Sequence, residues 1–211
     1  MINYNDIVLI PKMGVINTRK EADTRVRIGN NVFNLPIIPA NMKCTIDESI
    51  AKWMSENEYF YIMHRFDIDI LEFVKKANEE NWKNISISIG VKDSDYKIIN
   101  KIEAANLRVD YITIDIAHGH STMMMHMLEH VKKHMLHTCI IAGNIATIAG
   151  AHALKQWGAN IIKVGIGGGS VCSTKFKTGF TNPMFSCVKD IAENVDIPII
   201  ADGGIVHNGD I

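Results

Sequence analysis

The segment Asn160–Thr174, NIIKVGIGGGSVCST, begins as an apolar, β-branched run and ends in four glycines within five residues, followed by Ser170, Cys172 and Thr174. Glycines let backbone N–H and C=O groups approach a ligand or ion without Cβ obstruction. Ser170 offers a hydroxyl to a phosphate oxygen. Cys172 is the one cysteine set among small polar residues, where oriented N–H groups favour the reactive thiolate. Thr174, two residues on, could relay a proton at the same centre. Taken alone the segment leaves three readings open: a flexible turn, a phosphate cradle, or a loop that presents a nucleophile.

The texture of this segment recurs along the chain. Apolar runs rich in Ile and Val stand at 35–40, 59–63, 84–90, 111–115, 139–143, 160–165 and 197–202. Helix-like stretches lie between them, among them DESIAKWMSEN, DILEFVKKANEE, YKIINKIEAANL, HMLEHVKKHM and TIAGAHALKQWGA. Runs apolar on both faces suit buried parallel strands, and amphipathic helices supply the crossovers. About seven such units at a spacing of roughly 25 to 35 residues make a βα array.

A closed barrel and an open doubly wound sheet share this local pattern. The position of the polar residues favours the barrel. Asn41, His64 with Arg65, Asp115, Asn144, the Gly/Ser/Cys loop and Asp202-Gly203-Gly204 each follow an apolar run. In a TIM (β/α)8 barrel the strand C-termini converge on one face, where several strands each contribute a group. The expected architecture is therefore α/β, with residues 1–211 forming one barrel domain. The array ends at the opening of the helix after the seventh run, and a barrel typically takes about 250 residues. The expectation is a barrel lacking its last strand–helix unit and C-terminal part.

ADGGI (201–205) adds context to the cysteine loop. Asp202 can hold ribose hydroxyls while Gly203 and Gly204 bring N–H groups to a phosphate, which barrels often bind after strands seven and eight. The alternative is a strand–turn–helix junction with a capping aspartate. In DIAHGHS (115–121), Asp115 can accept hydrogen bonds from a sugar or carboxamide, and His118 and His120 can donate; a plain helix N-terminus would look similar. His126, His130 and His134 recur every fourth residue, but no zinc motif accompanies them and Glu129 is expected on another face, so they read as a helix flank. MMM at 123–125 reads as core filler.

Bulk properties exclude several classes. The formal net charge is −1 and the basic residues are scattered, which gives no electrostatic case for nucleic acid or a membrane surface. No apolar run approaches the roughly 18 residues of a membrane span. MINYNDIVLI lacks the basic start and cleavage site of a secretory signal. Cys44, Cys139, Cys172 and Cys187 show neither CxxC pairing nor zinc spacing; Cys139 reads as a small core residue and the compartment as reducing cytoplasm.

The combination GIGGGSVCST, TGF, ADGGI and YNDIVLIPK resembles the IMP dehydrogenase/GMP reductase family. PANM, YFYIMHRF and YITIDIAHGHS are similar to its bacterial-type reductase branch, and Arg65 leads directly into a helix, leaving no room for a regulatory insert. The resemblance implies a (β/α)8 barrel, usually a homotetramer, that reductively deaminates GMP to IMP and ammonia with NADPH. Cys172 would then form a covalent thioimidate at C2 of the purine, with Thr174 assisting proton transfer. Ser170, Asp202, Gly203 and Gly204 match substrate-binding positions. Thr18, Arg19, Arg65, Asp115, Ile116, Ala117, Ile166 and Gly167 match the cofactor site. The backbone carbonyls of Gly167, Gly169 and Cys172 match those that hold a potassium ion. The alternatives are an IMP dehydrogenase converting IMP to XMP with NAD, a non-catalytic nucleotide-binding remnant, or a generic phosphate-binding barrel. Gly168 departs from the family's loop proline, which predicts a less rigid turn; the family's catalytic glutamate and flap are expected beyond Ile211.

Overall fold

The computed structural model describes residues 1–169 and 172–211. Its centre is a five-stranded parallel sheet in sequential order: β3 (Ser86–Ile89), β4 (Tyr111–Asp115), β5 (Cys139–Ile145), β6 (Ile161–Val164) and β7 (Ile199–Ala201). A two-stranded antiparallel hairpin, β1 (Val26–Ile28) and β2 (Asn31–Phe33), precedes it. The described residues also form seven α-helices: α1 (Glu48–Glu56), α2 (Ile70–Glu79), α3 (Asp93–Ala104), α4 (Thr122–His134), α5 (Ile148–Trp157), α6 (Thr174–Thr178) and α7 (Met184–Asn194).

Strand order separates the two α/β alternatives. A doubly wound sheet reverses its order at a switch point and carries helices on both faces, whereas a barrel adds each strand beside the last. Here the order never reverses. One face of the sheet packs against helix residues, including Phe73, Ile99, Leu128, Leu154 and Ile191. The cluster on the other face contains no helix residue: Phe60, Ile62, Tyr111, Ile141 and Ile161 meet there, with Ile28 and Phe33 of the hairpin. The fold is an incomplete (β/α)8 barrel, with this second cluster as its interior.

Two of the seven expected runs do not form named strands. Residues 35–40 are irregular; Pro36 and Pro39 have no N–H to donate to a ladder. The run 59–63 joins the sheet through a single parallel bridge, Met63 to Ile87, with Met63 N–H donating to Ser86 C=O at 3.2 Å. Both runs still point residues inward, Ile38 from the first and Phe60 and Ile62 from the second.

The hairpin closes the end of the barrel at which the strands begin. Tyr111, the first residue of β4, donates its hydroxyl to Ile28 C=O at 2.8 Å and accepts from Asn31 Nδ2 at 2.9 Å. Helix starts follow the capping rule: Asp47, Asp69, Ser121 and Thr147 each accept a first-turn backbone N–H. On α4, His130 pairs with Asn100 at 2.8 Å and His134 with Glu103 at 2.7 Å, so the histidine row stitches α4 to α3. Glu129 lies 3.7 Å from His126, on the same flank rather than a different one. Of the three consecutive methionines only Met124 is buried in the core; Met123 is exposed.

Candidate active site

Parallel register builds the site. Asp115 pairs with Gly143, Gly143 with Lys163, and Lys163 with Ile200, so these four positions form one row across β4 to β7. Asp115 and Lys163 both project inward, and the glycine between them leaves the intervening space open. A Cβ on Gly143 would stand 2.5 Å from Lys163 Cβ and 2.7 Å from its carbonyl oxygen. This glycine is what lets an aspartate and a lysine two strands apart meet.

Lys163 is buried, with a side chain 5% exposed. Its ammonium lies 3.1 Å from Asp202 Oδ2 and 3.6 Å from Asp115 Oδ2, and it donates to Asn41 Oδ1 at 3.1 Å. Asn41 in turn donates to Asp115 Oδ2 at 2.6 Å. Asn144 donates to Asp202 Oδ2 at 2.6 Å and to Gly165 C=O at 2.8 Å. Arg65 donates to the Asp115 carbonyl at 3.3 Å and lies over the Phe66 ring at 4.8 Å. Six segments that are distant in sequence thus share one network, as a charge taken out of water requires. Every side-chain contact on the two aspartates falls on Oδ2. Asp115 Oδ1 and Asp202 Oδ1 have no partner among the described residues, and neither has the buried Asn144 Oδ1.

The loops after β6 and β7 lie against each other. A Cβ on Gly165, at φ +143°, would come within 2.4 Å of the Asp202 carbonyl oxygen, and one on Gly203 within 3.0 Å of Gly169 N. Gly167, Gly203 and Gly204 all have positive φ, which side-chain-bearing residues adopt at a cost. Gly168 has a different reason to be glycine. Its Cβ would meet Met184 Cγ at 2.4 Å and Sδ at 2.6 Å, and Met184 is fully buried. Met184 occupies the space that a proline ring would need at this position. A cavity of about 310 Å³ opens beside these loops, lined by Asn3, Tyr4, Gly167, Gly168, Lys175 and Gly204 among others.

Cys172 is partly exposed at the mouth of α6, whose first residue is Thr174. Hydrogen bonding from the Thr174 side chain, and then from its backbone, holds the Cys172 thiol below its ordinary value; a contribution from Gly167 acts in the same direction, and the Asp202 charge opposes it. The contrast with the other cysteines is chemical. Burial pushes Cys139 and Cys187 up to about 11, which favours the less reactive protonated thiol at neutral pH.

The structure therefore brings together Cys172, Thr174, Gly167, Gly169, Asp202, Gly203, Gly204, Asp115 and Arg65, with Ile166 and Ile116 on the adjoining backbone. Ile166 C=O accepts from Thr181 Oγ1 at 3.0 Å, and Ile116 exchanges backbone bonds with Gly143 and Asn144. Ala117 is exposed just beyond β4. Ser170 lies outside the described residues. Thr18 and Arg19 stay apart: they are exposed, and their carbonyls close a local turn with Glu21 and Ala22. Lys163 had no assigned role in the sequence reading. A lysine inside an otherwise apolar strand, one residue before its end, was the available signal.

The class these features define is a (β/α)-barrel protein with a cysteine loop and an Asp-Gly-Gly loop at adjacent strand ends. Residues 1–211 match the family model described as the IMP dehydrogenase / GMP reductase domain, and the chain belongs to that family. It is 47% identical over 212 residues to a GMP reductase of Mesoplasma florum, covering 99% of this chain and 66% of that protein. A GMP reductase of Bacillus subtilis is 45% identical over 214 residues, covering 100% and 65%. The crystal structure of inosine 5' monophosphate dehydrogenase from Legionella pneumophila superposes with a TM-score of 0.86 at 35% identity, covering 99% of this chain and 64% of that one. The chain spans about two thirds of the length of these relatives. Among the described residues no helix is long and apolar enough to cross a membrane.

Proposed function

We propose that the protein reductively deaminates GMP to IMP and ammonia. The observation that carries this reading is the position of Cys172, whose N–H donates to Gly169 C=O at 3.0 Å where Gly169 lies against Gly203 of the Asp202-Gly203-Gly204 loop. The Cys172 thiolate attacks C2 of the purine. The C2–N bond breaks, the departing nitrogen takes up a proton and leaves as ammonia, and a thioimidate remains on Cys172. Splitting the substitution this way replaces one difficult step by two easier ones. NADPH, when bound, supplies the hydride that C2 receives. The C2–S bond then breaks, and the electron pair returns to Cys172 as thiolate, which the Thr174 hydroxyl stabilises.

The remaining residues bind and orient. Asp202 Oδ1 faces no protein donor among the described residues and suits ribose hydroxyls, while Gly203, Gly204 and Ser170 meet the phosphate. Asp115 Oδ1 has no partner among the described residues, which fits a donor on the cofactor; Arg65, Ile116, Ala117, Ile166 and Gly167 would line that side, with Thr18 and Arg19 added from the N-terminal segment. The carbonyls of Gly167, Gly169 and Cys172 would offer oxygen ligands to a hard cation such as potassium, the Gly169 carbonyl also accepting from Cys172 N–H at 3.0 Å. The working unit is a cytoplasmic homotetramer.

The test is to incubate the protein with GMP and NADPH and follow cofactor oxidation and ammonia release. Both depend on GMP and disappear in Cys172→Ala. Oxidation that ignores GMP, or that survives Cys172→Ala, overturns the reading. NADH formation from IMP and NAD in its place assigns the dehydrogenase activity instead.

A further inference from the structure

Two carboxylates, one on each side of the site, are served by a single buried ammonium. Resting on the reading above, we propose that Lys163 is the positioning residue that joins the nucleotide-binding half of the site to the cofactor-binding half. Its ammonium lies 3.1 Å from Asp202 Oδ2 and 3.6 Å from Asp115 Oδ2, while Asn41 bridges it to Asp115 a second time. Each carboxylate is gripped through Oδ2, which restrains its rotation and leaves Oδ1 without a partner among the described residues. Lys163 needs no contact with either ligand to do this. It acts through the two aspartates.

Three features argue against incidental burial. Gly143 is placed so that Lys163 can cross toward Asp115, since a Cβ there would overlap it. The three polar partners come from three different segments: Asn41 from just after the first expected run, Asp115 from β4 and Asp202 from just after β7. One positive charge against two negative ones leaves a net negative cluster, which suits hydroxyl and amide donors and disfavours a phosphate at the same spot.

The experiment compares Lys163→Met, Lys163→Arg, Asp115→Asn and Asp202→Asn in the full chain, reading KM for GMP, KM for NADPH, kcat and thermal midpoint. Hydrogen bonds to charged groups are lost in the methionine variant, so both KM values rise by roughly tenfold or more. Asp202→Asn raises mainly the GMP value and Asp115→Asn mainly the NADPH value. Lys163→Arg, which keeps charge and donors, recovers most of both. A methionine variant that changes neither KM, or only one, overturns the inference, and so does an arginine variant no better than methionine.

Should Lys163→Met not fold, Lys163→Met with Asp115→Asn keeps the cluster's net charge. By calorimetry it binds GMP at least about tenfold more weakly than Asp115→Asn alone; equal affinity overturns the inference. Absence of GMP-dependent turnover in the unaltered protein overturns the functional reading and this inference together. Turnover in the unaltered protein with an indifferent Lys163→Met overturns this inference alone.

Discussion

Thr174 is one hydroxyl away from a valine, and that difference tests the state of the nucleophile. Its side chain is the largest influence holding the Cys172 thiol down. Lowering a thiol's pKa raises the thiolate fraction at a given pH, and removing the cause reverses this. In Thr174→Val the rate of Cys172 alkylation by iodoacetamide should fall at neutral pH, and its pH profile should move to higher pH. An unmoved profile would show that the hydroxyl does not set the thiol's acidity.

Gly168 gives the second test at this scale. Its backbone does not require glycine, but Met184 fills the place of a Cβ. Gly168→Ala should destabilise by about 1–3 kcal/mol through overpacking, and Met184→Ala in the same chain should relieve most of that cost. Additive losses in urea unfolding would refute the pairing. The sequence makes the glycine legible as a departure from its relatives, but not its cause. Met184 lies sixteen residues away, and nothing in the local pattern announces the contact.

Among the elements, β4 carries the clearest test. Its first residue, Tyr111, anchors the β1–β2 hairpin through one hydroxyl that both donates and accepts. Tyr111→Phe leaves the Ile28 carbonyl and an Asn31 N–H without that partner and should cost about 1–3 kcal/mol. Urea unfolding measures it; an unchanged midpoint would mean that the apolar contacts alone seat the hairpin.

How much was readable varies from element to element. The runs that became β3 to β7 stood out because strands buried on both faces are continuously apolar. The run at 35–40 looked similar by composition, yet its two prolines removed the donors a ladder needs. The hairpin was missed because three-residue strands carry too little periodicity. Its turn, Gly29-Asn30 with Gly29 at φ +57°, was nonetheless a recognisable hairpin signal.

For the molecule as a whole, the cysteines report how the fold distributes reactivity. Cys44 is exposed, Cys172 and Cys139 are partly so and Cys187 is buried, while burial raises the thiols of Cys139 and Cys187 to about 11. A thiol-reactive chromophore at neutral pH should label Cys44 and Cys172 fastest and Cys139 slowly in the native protein, with Cys187 reacting only after denaturant. Mass mapping of label on Cys187 under native conditions, or Cys139 labelled as fast as Cys172, would contradict the packing described.

At this scale the barrel was legible because chemistry fell after each apolar run, a pattern that survives imperfect strand boundaries. The network around Lys163 was not. It depends on register, and a shift of one residue would turn Lys163 to the opposite face of the sheet. Sequence spacing within β6 says which residues alternate; only the pairing with β4 and β5 says what they meet.

Tyr111 and Asp115 begin and end the same five-residue strand, which makes β4 a strut. At the ordinary strand rise its ends are about 13 Å apart. The lower end is pinned to a hairpin carbonyl and the upper end belongs to the charge network. Damage to the hairpin therefore need not stop at the floor of the barrel. Slack at Tyr111 becomes misalignment at Asp115, so a substitution far from any ligand can degrade ligand geometry while the glycine loops remain intact.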